Sequence, residues 1–593
     1  MPDMLNIKVE RQPDIRFQDG ALPHAAGVKS YQIMRANRAH PELSDGFGWT
    51  YNHAPMLAYY HDRFYVEYLS NPVSEHETPG QTLMSSSTDG INWSFPQVAF
   101  PIIEVSLKDY LGPKAEKMPD TIKTVPHQRM GFYRADNDVM LVLSFYGIVH
   151  DRKISAPCDG WGVGRAVRRI YPDGSLGNIY FLMYNKVAGY TRENTKAYPY
   201  FEESEDAALI YACRQLLSDR PVVNQMYEEQ RNDKALFPVP LRQAASFYTV
   251  NDGEMVTVFK HGVSMRSEDG GKTWGEIVPN YSLKTSTGKV WGQKTADGRF
   301  ALLYNPTPDG QHRWPIACVT GKDGYSFGNM VSITGLMSPE RYGGIDKNLG
   351  PQYLRGICER NPQVPDGKIH LVYSNNKEDI WISHISVPTA VSNEACISED
   401  FSDGAEKWNF YSPLWAPVRL NGAITLADRD PYDRAAVERC FKPSEKGETE
   451  LTFTPETISE KGEAVIGLCD ERGCAPVEIE LTSDCRVRLR SSGRYENWVS
   501  YEPGRELKLF ISFDCSRSRF TVRLNDITKE AVFSSASDKI CMLSVATKAI
   551  CRIPYSTTDS NGKYGTKDMV LPGAGEYISE TRIRLNAFMF KAE

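Results

Sequence analysis

The 593-residue sequence has no stretch of about 20 uninterrupted apolar residues, the length that a membrane-spanning helix needs. Residues 1–16 carry scattered charges and no apolar run of signal-peptide length. Positive charge is not in excess either, since 68 Lys and Arg stand against 75 Asp and Glu. These absences argue against membrane and nucleic acid partners. They predict a cytoplasmic protein, or an exported one whose leader has been removed.

Metal-binding patterns are scarce as well. The twelve cysteines form no close pairs at the spacing of zinc ligands, and no DxDxDG loop of the calcium-binding type occurs. The sequence therefore implies no required cofactor and leaves the metal site unknown. Reduced, mostly structural thiols are the better interpretation of the cysteines.

What the sequence does have is turn-forming and aromatic residues: 45 Gly, 36 Pro, 31 Tyr, 24 Phe and 10 Trp. Between residues 45 and 388, short runs rich in β-branched and aromatic residues alternate with turns, as at 64–69, 139–146, 300–304 and 369–373. This pattern predicts an all-β protein of many short strands. One helical insertion, at about 200–235, interrupts it, with an amphipathic helix over 204–218.

Three turns share an Asp-Gly pair followed by an aromatic residue, at Asp89, Asp269 and Asp323. They resemble the Asp-box of sialidase-type β-propellers, in which the carboxylate accepts hydrogen bonds inside a hairpin and Gly takes a positive φ. Asp269 and Asp323 are 54 residues apart, one blade, and Asp89 and Asp269 are 180 apart, three blades of 60. The spacing predicts six or seven blades, with seven preferred. The run at 379–385 is expected to pair with N-terminal chain and close the ring.

The character of the chain changes after Pro388. Runs such as 448–453, 477–481 and 507–511 alternate polar and apolar residues with a period of two, which is typical of an antiparallel sandwich. The opening Phe401-Ser402-Asp403 with Trp408 resembles concanavalin or laminin-G jelly rolls. We therefore divide the chain into a propeller at 1–390 and a β-sandwich at 391–593, and we expect the propeller to fold without the sandwich.

Seven motifs between residues 30 and 388 resemble propeller enzymes that cleave L-rhamnose-α-1,4-D-glucuronate linkages, the rhamnose-glucuronate lyases and their ulvan lyase relatives. The motifs lie at 49–55, 70–81, 127–133, 160–165, 350–356 and 376–381, with Phe64-Tyr65 between the first two. The resemblance implies an exo-acting enzyme on an oligosaccharide or polysaccharide that contains rhamnose and uronic acid. Some members of that group hold calcium near the ring axis, so calcium stays an open alternative.

The resemblance also implies a site. The catalytic positions that match are His53, Tyr146, Arg165 and Arg341. β-Elimination of a uronate removes a proton next to a carboxylate, so a planar Arg fork suits neutralisation of that charge, and His53 or Tyr146 would move protons. The predicted substrate-binding residues are Asn52, His127, Arg129 and Trp161.

Other functions stay open at this point. A glycoside hydrolase, rhamnosidase-like or sialidase-like, shares the Asp-boxes, although Arg35-Ala36-Asn37 does not match the early Arg-Ile-Pro of sialidases. A carbohydrate-binding propeller without catalysis is the third alternative, because a fold does not fix a function. Ala54 stands where related enzymes often have a polar residue, which weakens the match at the site.

Overall fold

The structure is a computed structural model. It describes residues 4–8, 13–14, 16–17, 19–111, 115–126, 131–150, 157, 160–226, 246–285, 287–307, 313–460, 462–548 and 579–593. The N-terminal strands are β1 (Asn6–Ile7), β2 (Val28–Met34), β3 (Tyr51–Tyr60), β4 (Arg63–Asn71), β5 (Gln81–Ser87), β6 (Gln97–Phe100), β7 (Glu104–Ser106), β8 (Thr121–Lys123), β9 (Val125–Pro126), β10 (Gly131–Arg134), β11 (Met140–Gly147), β12 (Gly162–Ile170), β13 (Tyr180–Tyr184), β14 (Ser246–Asn251), β15 (Glu254–Val258), β16 (Val263–Ser267), β17 (Val278–Pro279), β18 (Val290–Lys294), β19 (Phe300–Tyr304), β20 (Ile316–Gly321), β21 (Ser326–Thr334), β22 (Pro351–Arg355), β23 (Ile369–Asn375) and β24 (Asp379–Ile385).

The described residues form five four-stranded antiparallel meanders, so the expected six or seven blades are wrong. Four are separate sheets, β3–β6, β10–β13, β14–β17 and β18–β21, and the fifth is β22-β23-β24-β2. The first strands of neighbouring meanders contact one another, β3 with β10 and β22, and β18 with β14 and β22, as they do around the centre of a propeller. β2 pairs antiparallel with β24, which confirms that N-terminal chain completes the last blade.

The blade count failed because one interval was read as a repeat. Asp89 lies between the third and fourth strands of blade 1, and Asp269 and Asp323 lie at the same place in blades 3 and 4. The 180 residues from Asp89 to Asp269 thus span two blade steps, lengthened by the strand pair β7–β8 and by a helical insertion.

The Asp-box turns themselves form as predicted. The Asp89 carboxylate accepts the backbone N–H groups of Ile91 and Asn92 at 2.8 and 2.7 Å, and Gly90 has φ = 70°. Asp269 accepts the N–H of Thr273 at 2.8 Å. Each carboxylate satisfies donors of its own turn, so the motif is explained by local structure.

The insertion contains two helices, α1 (Ala207–Ser218) and α2 (Arg220–Met226), and residues 227–245 lie outside the described part. α1 begins where the Asp206 carboxylate accepts the N–H groups of Ala208 and Leu209. Its buried face packs between blade 2 and blade 3, against Leu141 and Phe247 among others. The insertion therefore fills the space between two blades.

The C-terminal strands build the predicted sandwich. They are β25 (Cys396–Glu399), β26 (Trp408–Ser412), β27 (Val418–Leu420), β28 (Ile424–Asp428), β29 (Ala436–Ser444), β30 (Lys446–Thr457), β31 (Glu463–Cys469), β32 (Val477–Thr482), β33 (Arg486–Ser491), β34 (Arg494–Ser500), β35 (Leu507–Asp514), β36 (Arg519–Leu524), β37 (Ile527–Val532), β38 (Ile540–Thr547) and β39 (Thr581–Ala592). One sheet has the order β27-β28-β39-β30-β35-β36-β37, and the facing sheet contains β26-β29-β38-β31-β32-β33-β34. Apolar side chains of both sheets, Phe441 and Phe590 among them, form the core between them.

The two parts of the chain share one sheet. β2 of blade 5 pairs in parallel with β26 of the sandwich, so that blade and the second sandwich sheet form a continuous sheet of eleven strands. Across this junction Trp381 stacks on Tyr411, with ring centroids 4.9 Å apart, and Arg35 forms a buried ion pair with Asp430 at 2.8 Å. The boundary near residue 390 thus separates two sequence patterns that the hydrogen-bonded sheet joins.

Candidate functional site

The strongest concentration of buried charge in the propeller surrounds Tyr353, on β22. The ammonium nitrogen of Lys289 lies 4.1 Å from the centre of the Tyr353 ring, and that of Lys260 lies 5.3 Å away. The Arg313 guanidinium and the Lys377 ammonium follow at 5.5 and 5.8 Å. We call Lys260, Lys289, Arg313 and Lys377, with Tyr353 between them, the central basic cluster. All five residues are buried.

The topology of the propeller explains why these residues meet. Lys260, Arg313 and Lys377 each follow the second strand of a blade, in blades 3, 4 and 5, and Lys289 directly precedes the first strand of blade 4. Second strands end, and first strands begin, at the same face of a propeller. Loops at that face therefore converge near the centre.

His53, a predicted catalytic residue, belongs to this cluster. Its ring packs edge-on against Tyr353, with centroids 3.9 Å apart, and its Nδ1 lies 2.7 Å from Ser374 Oγ. The Ser374 hydroxyl donates to the Gln352 carbonyl at 3.5 Å, so it is free to accept the proton of Nδ1. In that arrangement His53 Nε2 carries a lone pair, and Nε2 is buried without a hydrogen-bond partner.

The charges around His53 fix its protonation state. Burial, followed by the positive charges of Lys377, Lys289 and Arg313, holds the pKa of His53 well below its usual value. His53 is therefore neutral at physiological pH and presents a proton acceptor to the site.

Glu75 is the acidic member of the site. Burial alone would raise its pKa, but the adjacent Lys377, 2.9 Å from Glu75 Oε2, outweighs burial and lowers the pKa well below 4.5. Burial and the charge of Glu75 in turn raise the pKa of Tyr51 well above 10. The site thus combines an ionised carboxylate, a protonated phenol and a neutral imidazole within a largely cationic environment.

The backbone of the site is strained at several positions. Ala54, next to His53, has φ = 52°, Tyr353 has φ = 59°, and Lys377 has φ = 55°. The pairing of β3 with β4 shifts register just after His53, and that of β22 with β23 shifts between Gln352 and Arg355. Positive φ at residues with a side chain costs free energy, and such residues concentrate at functional sites.

The other predicted catalytic residues lie apart from this cluster or are engaged elsewhere. Burial raises the pKa of Tyr146 well above 10, and its hydroxyl donates to the Pro101 carbonyl at 2.7 Å. Arg165 donates to the Met226 carbonyl at 2.5 Å and lies over the Phe145 ring. Arg341 pairs with Glu378 and Asp379, which are both buried. Their catalytic roles stay predictions, and the structure does not bring them together with His53.

The predicted substrate-binding residues are also dispersed. The Asn52 amide donates to the Trp49 and Glu378 carbonyls at 3.2 and 3.0 Å, and its oxygen accepts from Ser70. Trp161 is buried and stacks on Tyr110 at 5.9 Å. His127 and Arg129 lie outside the described residues.

Most of the central basic cluster was missed by the sequence reasoning. Tyr353, Lys377 and Glu75 stand inside motifs that support the resemblance but have no distinguishing feature there, and Arg313 was one of several arginines. Lys260 and Lys289 have no motif around them. Only the closed ring brings these positions together.

Two further properties concern ligands. Within the described ranges, no group of three or more His, Cys, Asp or Glu side chains is arranged to hold a metal ion. No helix in the described part is long and apolar enough to cross a membrane.

Comparison with known proteins places both parts of the chain. Residues 3–244 match the family model described as BT_1020-like, N-terminal beta propeller, and residues 408–561 match the model described as sialidase-like, CBM domain. No curated protein matches the chain. A solved structure titled "Sialidase" is 34% identical over 100% of this chain and 54% of its own, with a TM-score of 0.90.

The chain therefore spans about half the length of the structure that it matches. A mutant of Trypanosoma rangeli sialidase displaying trans-sialidase activity also matches, over 96% of each chain, but its 10% identity and TM-score of 0.35 carry no argument. The chain combines a sialidase-like β-propeller with a sialidase-like carbohydrate-binding-module domain.

Proposed function

We propose that this protein is an enzyme that cleaves the glycosidic bond of a sugar acid, and that the central basic cluster binds the carboxylate of that sugar. The observation that supports this proposal is the convergence of four cationic side chains on Tyr353, beside a neutral His53. Arg313 supplies the clearest anchor, because Nε and Nη1 of its buried guanidinium have no hydrogen-bond partner. A planar guanidinium can bind a carboxylate through two parallel hydrogen bonds.

Hydrolysis is the first candidate reaction. It is supported by the similarity to a structure titled "Sialidase" and by the placement of Tyr51 near an ionised Glu75, groups that suit attack on, or stabilisation of, a positively charged sugar carbon. In this mechanism Arg313 and Lys289 hold the carboxylate, and His53 transfers a proton through Nε2.

β-Elimination at L-rhamnose-α-1,4-D-glucuronate is the second candidate. It needs a neutralised carboxylate and a neutral base close by, and the cluster with His53 meets both requirements. The same charges that favour an anionic substrate thus suit either reaction. The chemistry of the product decides between them.

The test is to incubate the full chain with two probes, an oligosaccharide ending in L-rhamnose-α-1,4-D-glucuronate and a sialylated oligosaccharide. Elimination creates a conjugated unsaturated uronate that absorbs in the ultraviolet, whereas hydrolysis adds a water that mass spectrometry detects. Tight binding without product would favour the carbohydrate-binding alternative. Neither binding nor product with any acidic sugar would contradict the proposal.

Matched variants locate the site. Lys289→Met and Lys294→Met remove the same charge just before and at the end of β18, and Lys294 is exposed. We expect loss of activity only from Lys289→Met. His53→Ala should lower kcat/KM by about 10²–10⁴-fold, the range for a positioned proton-transfer group. An equal loss from Tyr146→Phe or Arg165→Lys, with His53→Ala active, would move the site to blade 2.

A further inference from the structure

A second cavity lies where the propeller meets the sandwich, at the shared sheet. Its volume is about 380 Å³, and its walls come from β2 and the chain after β21 on one side and from β26, β29 and β38 on the other. Cavities of 300–1,000 Å³ at domain junctions are common sites for small ligands. This cavity is separate from the central basic cluster, because none of its lining residues belongs to that cluster.

Small side chains on one face of the sheet create the space. Ala436 of β29 pairs with Ala546 of β38, and Glu438 pairs with Ser544. On the far side of β38, Ser544 pairs with Gly467 of β31. Residues directly opposite on neighbouring strands share a face, so these positions form a continuous low floor.

Polar groups of both signs stand around this floor. Glu438 Oε2 lies 3.0 Å from His24 Nδ1, and the other ring nitrogen of His24 lies 3.0 Å from Asp19. Burial opposes protonation of His24, but Glu438 and Asp19 outweigh burial and raise its pKa to about 10. His24 is therefore a cation between two carboxylates.

Arg434 completes the charge balance of the cavity. It is partly exposed and lines the cavity, and its guanidinium makes no hydrogen bond or ion pair within the described residues. Arg434 and His24 supply two positive charges against the two negative charges of Asp19 and Glu438. The cavity is thus polar but close to electroneutral, unlike the central basic cluster.

We propose that this cavity binds a neutral sugar residue of a glycan, as a second carbohydrate site built jointly by the propeller and the sandwich. Vicinal hydroxyls both donate and accept hydrogen bonds, so they suit a guanidinium and a carboxylate that face one space. The volume accommodates one sugar ring. The absence of a net charge argues against a sugar acid at this place.

Isothermal titration of the full chain tests the proposal, with the methyl glycosides of D-galactose, D-glucose and L-rhamnose as neutral probes and D-glucuronate as the charged comparison. We expect at least one neutral glycoside to bind with a millimolar Kd. Ala546→Leu, which fills the floor, should abolish that binding, and Arg434→Gln should weaken it at least about tenfold, the effect of losing one charged hydrogen bond. Arg419→Gln, on exposed β27, is the matched control and should change nothing.

The outcomes are decisive in both directions. If no neutral glycoside binds at 20 mM, a concentration roughly ten times a millimolar Kd, the proposal is wrong. Binding that survives both Ala546→Leu and Arg434→Gln also contradicts it. Should Ala546→Leu fail to fold, Arg434→Gln alone decides, since a partly exposed side chain changes without repacking. Arg313→Gln should leave this binding intact, so failure of the proposed enzymatic function is read separately.

Discussion

The propeller buries positive charge in two regions that differ in what faces that charge. Around Arg341, the guanidinium meets Asp379 and Glu378, and Lys347 meets Glu378 at 3.3 Å; we call these four residues the Arg341 network. Around Tyr353, four cationic side chains converge with Glu75 as the buried acidic partner of Lys377. In the first region protein carboxylates compensate the buried cations, which stabilises the fold. In the second the arrangement favours an anion from outside.

The difference also separates two meanings of a buried arginine. Burial lowers the pKa of Arg341, but Asp379 and Glu378 outweigh it and raise the pKa above its usual value. The carboxylates that satisfy Arg341 belong to the hairpin that begins β24. An arginine recognised from sequence as a candidate neutraliser can therefore already be neutralised inside the protein.

The largest effect is expected from removing the sandwich. A chain ending at residue 390 loses β26 and exposes the edge of β2, together with the partner of Arg35. We expect the truncated protein to aggregate, contrary to the expectation from the composition break. Size-exclusion chromatography and calorimetry measure this. A monomeric product with a cooperative melt would show that the shared sheet is dispensable.

Arg341→Met should destabilise the protein by about 3–5 kcal/mol, because it leaves Asp379 and Glu378 buried without their cation. Denaturant unfolding followed by fluorescence gives the free energy. Arg341→Lys keeps the charge and is the control, with a smaller loss expected. An unchanged midpoint for Arg341→Met would remove the distinction between the two regions.

Arg313→Met should act in the opposite way. We expect kcat/KM on the confirmed acidic substrate to fall about 10²–10³-fold, as when one donor to a developing charge is removed. The melting temperature should stay the same or rise, because a crowded positive charge is removed and one side-chain hydrogen bond, to Thr287, is lost. A stability loss as large as that of Arg341→Met would assign Arg313 to the fold.

The smallest effect concerns pH. The pKa of His24 is raised from 6.5 to about 10 in the folded protein, so its ion pairs stabilise the fold fully below pH 6.5. That contribution is lost as pH rises towards 10. The melting temperature should therefore decline over this range, and less so in His24→Gln. Identical pH profiles for the two proteins would contradict this assignment.

Local patterns in the sequence predicted local structure well. The Asp-box turns, helix α1 and the alternation of the sandwich strands each depend on neighbouring residues, so the sequence contains their cause. The closing strand was also predicted, because Asp379–Ile385 is a strong strand that needs a partner. The blade count was wrong because the insertion of α1 and α2 altered the repeat.

The site was less predictable, for a physical reason. His53 was recognised within a motif, but Lys260 and Lys289 acquire a role only when blades 3, 4 and 5 close around Tyr353. The parallel pairing of β2 with β26 joins residues almost 400 positions apart in the chain. No sequence periodicity records either contact.

The eleven-stranded sheet has a hydrodynamic consequence. Backbone hydrogen bonds across β2 and β26 replace the flexible joint that often separates a catalytic module from a carbohydrate-binding module. The protein should therefore tumble as one particle, with a single rotational correlation time for tryptophans on both sides of the junction. A glycan held at the junction would then be presented to the propeller at a fixed distance and angle, as on a rigid jig, without a tethered search.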